Sequence, residues 1–288
     1  MPILGIIASS KSVGSTTIAV AYSITPFISV YPWSLGFGTK YANPATLPNG
    51  NGTDVSFSPS GNDIAVSHAT TPFISVYPWS AGFGTKYADP ATLPTGSGNG
   101  LAFSPSGNDI SVAHSTSPFI SVYPWSSGFG TKYANPATLP TGLGLETAFS
   151  PSGNDIAVGS FATPFILVYP WSSGFGTKYA NPATLPTGTG TGVAFTPSGD
   201  TIAVAHDTTP FISVYPWSLG FGTKYANPAT LPTGNGEDVA FSALGAAIAV
   251  AHSTTPFISV YPWSAGFGTK YADPATLPTG SGSGVAFK

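Results

Sequence analysis

The four histidines are the residues of this chain best suited to chemistry, and all of them occupy one position of a repeated sequence. They are His68, His114, His206 and His252, spaced by 46 residues or a multiple of 46. Tyr22 and Ser160 hold the same position in the two remaining copies. A metal centre needs its ligands in one coordination sphere, whereas side chains repeated once per structural unit lie far apart. The spacing therefore predicts one structural hydrogen bond per copy, with no metal site and no cofactor.

The other reactive side chains give little support to catalysis. A Ser-His-Asp triad is one singular arrangement, but nearly every serine and histidine here is a copy of another. All eight basic residues are lysines, so the chain has no arginine cluster that could bind a substrate carboxylate. Eleven carboxylates spread over the copies do not form the dense cluster of a metal-dependent hydrolase. These patterns predict a protein that is not an enzyme.

The repeat itself predicts the architecture that positions these side chains. The stretch VYPWSxGFGTKYAxPATLP occurs six times, with tryptophans at Trp33, Trp79, Trp125, Trp171, Trp217 and Trp263. A period of this length is typical of propellers and solenoids, whose units bury their faces by stacking. Each unit reads as four short antiparallel strands, and Pro90 confines the weak fourth strand, Lys86 to Leu93, to an edge. Residues 13–288 therefore predict an all-β, six-bladed β-propeller of four-stranded blades.

The two ends of the chain predict how the ring of blades closes. Residues 284–288 read as a first strand without a second strand, and Thr17 to Tyr22 as a second strand without a good first strand. Pairing the C-terminal strand with the N-terminal blade would leave no open sheet edge. Residues 1–12 then form an N-terminal extension, although Gly5 to Ser9 could compete for the same first-strand position. The extension lacks the basic segment of a secretory signal, so we expect no signal peptide.

The consensus unit GVAFSPSGNDIAVAHSTTPFISVYPW resembles the WD40-like or YVTN-like β-propeller repeat. It departs from WD40 repeats proper, because Trp79 is followed by Ser80 and no Gly-His pair opens the blade. The segments PFISVYPW and GTKYANPATLPTG are also similar to repeats in virion proteins of tailed phages. This resemblance, and no feature of spacing or composition, implies a phage particle.

Differences between the copies concentrate on loops that share one end of the strands, where propellers usually bind their partners. In one sector, Leu143, Leu145, Glu146 and Phe161 replace residues that are mostly small or polar in the other copies. Exposed apolar side chains of this kind indicate a docking patch, unless they pack on one another to fill a local gap. At the opposite end of the strands, a weaker second candidate is marked by the residues that replace Pro-Ser-Asn-Asp, namely Ala243, Leu244, Ala246 and Ala247.

Three carboxylates recur in every second copy and predict an approximately three-fold set at the mouth of a central channel. They are Asp54, Glu146 and Asp238. A cation or a water cluster could lie among them, although they stand too far apart to share one ion directly. The candidate binding residues are therefore Leu143, Leu145, Glu146, Phe161, Asp54, Asp207 and Asp238.

Charge and hydropathy disfavour two classes of partner, nucleic acids and membranes. A net charge of -3 without arginine disfavours nucleic acid, and no apolar run approaches the length of a membrane span, so no membrane insertion is predicted. We expect a non-enzymatic binding or structural module, most consistent with a virion protein that decorates the particle or adheres to the host. Its partner would be a virion protein or a host-surface glycan or protein, and its location the virion or the extracellular space.

Two alternatives remain from the sequence. One is a multivalent carbohydrate-binding lectin, which exposed tryptophans between the blades would favour. The other is an intracellular protein-interaction scaffold. In either case, near-identical blades could exchange strands between chains and form a homo-oligomer.

Overall fold

The computed structural model describes residues 6–10, 16–34 and 36–287, and within these ranges every regular element is a β-strand. The strands form six three-stranded antiparallel sheets, one for each copy of the repeat. This arrangement confirms the predicted all-β fold of six propeller blades. We number them blade 1 to blade 6 in chain order.

Each blade uses the same three segments of the repeat. The first strands are β1 (Ile6–Ser10), β4 (Gly52–Phe57), β7 (Gly98–Phe103), β10 (Gly144–Phe149), β13 (Gly190–Phe195) and β16 (Gly236–Phe241). The second strands are β2 (Thr16–Ala21), β5 (Asp63–His68), β8 (Asp109–His114), β11 (Asp155–Ser160), β14 (Thr201–His206) and β17 (Ala247–His252). The third strands are β3 (Ile28–Trp33), β6 (Ile74–Pro78), β9 (Ile120–Pro124), β12 (Ile166–Pro170), β15 (Ile212–Pro216) and β18 (Ile258–Pro262).

The predicted fourth strand is not part of any sheet in the described residues, so the blades are three-stranded. In blade 2, the segment after β6 contains one isolated antiparallel β-bridge, between Trp79 and Phe83. The Tyr87 N–H also donates to the Val76 carbonyl at 2.9 Å. Pro90 lacks a backbone N–H, so the rest of the segment cannot continue a regular ladder. The segment therefore runs along the edge of the blade without extending its sheet.

The first strand of blade 1 corrects the predicted closure. β1 lies inside the predicted N-terminal extension and pairs with β2, starting with Ile6 opposite Ala21. Residues 281–287 form no strand, although the Gly282 N–H donates to the His252 carbonyl at 3.1 Å. The N-terminal segment therefore takes the place predicted for the C-terminal strand, because its backbone groups can pair along the open edge of β2.

Side chains of neighbouring blades build the core. All six residues of β5, β8, β11 and β14 are buried, as expected for the central strand of a sheet that is covered on both faces. Between blades 2 and 3, Ile74 shares one apolar cluster with Phe103 and Trp125. The tryptophans that are only 4–6% exposed are Trp79, Trp125, Trp171, Trp217 and Trp263. These five rings belong to the core, as the sequence predicts.

The chain divides into two compact units, with blades 1 to 3 before the boundary at Asn135 and blades 4 to 6 after it. The domain boundary predicted between residues 12 and 13 falls outside the described residues and stays a prediction. In the described part of the chain, no helix has the length and apolar character needed to cross a bilayer.

Candidate functional site

An exposed aromatic ring marks the loop between β11 and β12 of blade 4. Phe161 directly follows the last residue of β11, and it is 56% exposed. The Phe161 N–H donates to the Leu143 carbonyl at 2.9 Å, which joins this loop to the segment that leads into β10. The two loops predicted to share one end of the blade are therefore adjacent here. We call Leu143 and Phe161 the blade-4 patch.

Leu145 and Glu146 lie beside this patch in the first strand of blade 4. The pairing of β10 with β11 shifts between Gly144 and Glu146, so Leu145 is the extra residue of a β-bulge. In blades 2 and 5 the same position carries Thr53 and Thr191, whose hydroxyls donate to a carbonyl of the next blade at 2.7 and 2.6 Å. A leucine cannot make that bond. The residues predicted to gather in this sector do share one end of blade 4, although only Phe161 is largely exposed.

Acidic residues and glycines alternate at the position after this bulge. In chain order the residues are Asp54, Gly100, Glu146, Gly192, Asp238 and Gly284. The Asp54 carboxylate is buried and accepts the N–H of Val55 at 2.6 Å and the N–H of Leu101 at 2.7 Å. Because Leu101 belongs to the next blade, Asp54 ties two neighbouring first strands together.

Asp238 lies where the first strands of blades 5 and 6 approach each other closely, beside Gly192. Its carboxylate accepts the N–H of Val239 at 2.7 Å and the N–H of Val285 at 2.8 Å, and burial raises the pKa of Asp238 to about 7. A Cβ atom on Gly192 would lie 2.7 Å from the Asp238 Cα atom and 2.8 Å from its Oδ1. The close approach of the blade-6 backbone at Asp238 therefore requires a glycine at position 192 in blade 5. Within the described residues, no group of three or more acidic or histidine side chains could hold a metal ion.

Asp207 lies in the loop between β14 and β15, the counterpart of the Phe161 loop. Its Oδ1 atom accepts the Thr189 N–H at 2.9 Å and the Thr208 hydroxyl at 3.0 Å. Asp207 therefore fastens its own loop to the segment before β13. The Thr189 hydroxyl in turn donates to the Phe161 carbonyl at 3.4 Å, so Asp207 is connected to the blade-4 patch through Thr189. Asp238 instead contacts Val239 and Val285, and Asp54 belongs to the other compact unit.

The histidines make the repeated hydrogen bond that the sequence predicts. Each Nε2 atom lies 3.0–3.1 Å from a serine hydroxyl, in the pairs His68–Ser75, His114–Ser121, His206–Ser213 and His252–Ser259. Burial lowers the pKa of His68, His114 and His206 to about 4, so these imidazoles are neutral at pH 7. Blade 4 replaces both members of the pair, with Ser160 and Leu167, and both replacements are buried.

One site that the sequence does not single out is a polar cavity between blades 2 and 3. Its volume is about 280 Å³, and it is lined by Ser60, Asn62, Asp63, Tyr87, Gly107, Asn108, Trp125, Ser126 and Ser127. Asp63 is only 7% exposed. Its carboxylate accepts the Tyr87 hydroxyl at 2.8 Å and the Trp125 indole N–H at 3.2 Å. Burial raises the pKa of Tyr87, and its hydrogen bond to Asp63 raises the pKa further, so the phenol keeps its proton.

A smaller cavity holds the same place in the repeat between blades 5 and 6. Its volume is about 180 Å³, and its lining includes Thr201, Tyr225, Trp263, Leu244 and Ala265. Thr201 stands at the position of Asp63, so this cavity has no buried carboxylate from that position. Aspartate also occupies this register at Asp109 and Asp155. Asp155 accepts the Tyr179 hydroxyl at 2.9 Å and the Trp217 indole N–H at 3.2 Å, so the same arrangement of hydrogen bonds recurs between blades 4 and 5.

No protein-family model matches the chain, and no curated protein matches it. Many solved structures share its fold, and two of them illustrate the likeness. A protein from Bacteroides uniformis, provisionally assigned as a 6-phosphogluconolactonase, is 14% identical, with a TM-score of 0.65 over 92% of this chain and 82% of its own. Hydrazine synthase from Kuenenia stuttgartiensis is also 14% identical, with a TM-score of 0.69 over 91% of this chain and 78% of its own. At this identity the likeness shows the propeller fold alone.

These structures contradict the expectation that the protein is not an enzyme. Both are named as enzymes, and both align with more than nine-tenths of this chain. The expectation relied on the repeated serines and histidines and on the lack of arginine. Since a fold of this kind is compatible with catalysis in other chains, those features do not argue against enzymatic activity.

Proposed function

We propose that this propeller is a component of a tailed-phage particle, where it decorates the surface or supports adhesion to the host. The particle assignment is supported by the resemblance of its repeats to phage virion proteins. We further propose that the blade-4 patch is the surface that docks the propeller onto another virion protein. The observation that carries the docking site is the 56% exposure of Phe161 beside Leu143, where the other blades have small or polar residues.

The energy available at this patch is sufficient for a functional contact. Burying a phenylalanine side chain completely contributes about 1.5–3 kcal/mol. A partner that covers the exposed part of Phe161 would gain roughly 1–2 kcal/mol, which corresponds to about a tenfold change in affinity. Leu143 is half-buried and would add a smaller contact. Loss of the Phe161 ring should therefore weaken docking measurably without removing the fold.

The experiment compares phage particles that carry the wild-type protein with particles that carry Phe161→Ser. Serine is the residue of blades 1, 3 and 6 at this position, so the substitution is one the scaffold already accepts. Particles are purified by density gradient, and the number of propeller copies per particle is measured by quantitative mass spectrometry. We expect a fixed copy number for the wild type and about a tenfold lower occupancy for the variant at limiting protein.

Leu244→Ser is the matched control. Leu244 is 93% exposed at the opposite end of its blade, and serine is the residue of blades 2 to 5 at this position. This control removes a comparable exposed apolar side chain and should leave occupancy unchanged. Absence of the wild-type protein from the particles would contradict the particle assignment. Equal occupancy of the wild type and Phe161→Ser would contradict the docking site alone.

A further inference from the structure

The cavity between blades 2 and 3 has the chemistry of a binding site rather than that of a packing gap. The Asp63 carboxylate at its wall is more than nine-tenths buried, yet it borders a space of about 280 Å³. This volume is roughly nine times the share of liquid volume that one water molecule occupies, about 30 Å³. The space opens to solvent and its lining is mostly polar, so a dissolved molecule can enter it.

Asp63 has hydrogen-bonding capacity beyond its two protein contacts. An ionised carboxylate can accept about four hydrogen bonds, two at each oxygen. The Tyr87 hydroxyl donates to Oδ1, and the Trp125 indole N–H donates to Oδ2. Each oxygen can therefore accept one further hydrogen bond, and Asp63 lines the cavity together with both of its donors. Two adjacent hydroxyl groups of a ligand would satisfy this geometry.

The rest of the lining selects the class of ligand. The carboxylate repels anions, and an apolar molecule would leave the polar wall without partners. A metal ion is disfavoured because the described residues contain no cluster of three or more acidic or histidine side chains. The side chains of Asn62, Ser126 and Ser127 add neutral donors and acceptors. A small neutral molecule with several hydroxyl groups fits every one of these properties.

We propose that the Asp63 cavity binds one neutral sugar ring, with a vicinal diol donating to the Asp63 carboxylate. This inference goes beyond the proposed function, because the cavity and the blade-4 patch belong to opposite ends of the strands. Within blade 4, the aspartate equivalent to Asp63 is Asp155, the first residue of β11, whereas Phe161 follows its last residue. Six residues of strand separate the two ends by about 20 Å. Sugar binding can therefore be present or absent independently of docking through Phe161.

The chain contains its own comparison site. The cavity between blades 5 and 6 is smaller, about 180 Å³, and has Thr201 in place of the aspartate and Leu244 in its lining. Its carboxylate, Asp200, is exposed and accepts the Thr196 and Thr201 hydroxyls at one oxygen. It should not bind the sugar. Residues of blade 5 also supply substitutions that the scaffold tolerates, since Thr201 is equivalent to Asp63 and Leu219 to Ser127. Ser127 and Leu219 both have φ of 52°, so the backbone accepts either side chain there.

The test is a titration of the full-length protein with free glucose, galactose, mannose and N-acetylglucosamine, followed by nitrogen-15 NMR of the indole N–H groups. A Trp125→Phe spectrum assigns the Trp125 resonance. We expect at least one of these sugars to shift the Trp125 indole signal saturably. Asp63→Thr should weaken this binding about tenfold or more, because it removes a charged hydrogen-bond acceptor. Ser127→Leu should also weaken binding, because it places an apolar side chain at the exposed edge of the cavity, where the equivalent Leu219 is 76% exposed.

Leu244→Ser serves as the control and should leave the titration unchanged. The remaining indole signals report whether each variant is folded, and Ser127→Leu keeps the test decisive if Asp63→Thr unfolds. No saturable shift of Trp125 with any of the four sugars would overturn the proposal. The same holds if folded Asp63→Thr and Ser127→Leu both bind with the wild-type affinity.

Discussion

Blades 2 and 4 have the same strands and the same register, but their sequence differences are of two kinds. Inside blade 4, Ser160 and Leu167 replace the hydrogen-bonded pair His68 and Ser75 of blade 2, so an imidazole and its partner change together. On its surface, Phe161 replaces Ala69 and stays 56% exposed, with no matching change that buries it. Buried differences are therefore compensated within the blade. The exposed difference requires an explanation outside the blade, which is why we assign it to a partner.

The largest expected effect concerns the histidines that blade 4 lacks. Burial lowers the pKa of His68, His114 and His206 to about 4, whereas an unfolded histidine titrates near 6.5. The unfolded chain thus binds more protons between these values, and the stabilisation present above pH 6.5 is lost as pH falls towards 4. Each histidine should contribute about 3 kcal/mol to this loss. Urea unfolding between pH 7 and pH 4.5 measures it.

Asp238 works in the opposite direction over part of this range, because burial raises its pKa to about 7. Its protonated form favours the folded state, so its contribution to stability declines as pH rises from about 4 to 7. We expect the three histidines to outweigh this one carboxyl. A free energy of unfolding that stays constant or increases between pH 6.5 and pH 4.5 would contradict buried neutral imidazoles.

The second-largest expected effect concerns the paired replacement of His68 and its hydrogen-bond partner Ser75. Ser75→Leu in blade 2 would introduce the leucine of blade 4 beside a buried imidazole that loses its Nε2 partner. Overpacking and the lost hydrogen bond should together cost about 3 kcal/mol. Adding His68→Ser recreates the pair of blade 4 and should recover most of that loss. A double-mutant cycle from urea unfolding measures the coupling, and additive effects of the two substitutions would refute the idea of a compensated pair.

A smaller effect tests the alternation between acids and glycines in neighbouring blades. Gly192→Ala places a Cβ atom 2.7 Å from the Asp238 Cα atom, so the backbone of one blade must move. We expect a loss of about 2 kcal/mol, reduced when Asp238→Gly is added. Gly280→Ala is the control, because a Cβ atom there meets nothing within 4 Å. Equal thermal stability of the two alanine variants would show that the close approach at Asp238 does not require a glycine at position 192.

Much of the fold could be predicted from the sequence because each copy of the repeat forms one blade. The 46-residue spacing recurs in every copy, so the number of blades, the positions of the three strands in each blade and the buried tryptophans follow from it. Closure could not be predicted in this way. Two segments can both pair with β2, and their competition depends on tertiary contacts that a repeat pattern does not contain.

Of the two candidate sites, the sequence predicts one and misses the other. Phe161 could be found because it breaks a pattern that other copies maintain. The Asp63 cavity was missed because its partners come from different parts of the chain, with Tyr87 24 residues and Trp125 62 residues away from Asp63. The expectation about catalysis failed for another reason. It relied on residue types alone, and structures with the same fold are named as enzymes, so the residue types do not exclude a reaction.

The smallest expected effect on stability belongs to the residue that matters most for the proposed function. Phe161→Ser should change the free energy of unfolding by no more than about 0.5 kcal/mol, because the ring is mostly in solvent already. Thermal and urea unfolding of the purified variant measure this change. A loss of several kcal/mol would mean that Phe161 supports the blade rather than a partner.

The most direct test of the central claim is the copy number of the propeller in purified phage particles, measured by mass spectrometry for wild type, Phe161→Ser and Leu244→Ser. Our account predicts equal occupancy for the wild type and Leu244→Ser, and about a tenfold lower occupancy for Phe161→Ser at limiting protein. Equal occupancy of all three proteins, or absence of the wild type from the particles, would contradict it.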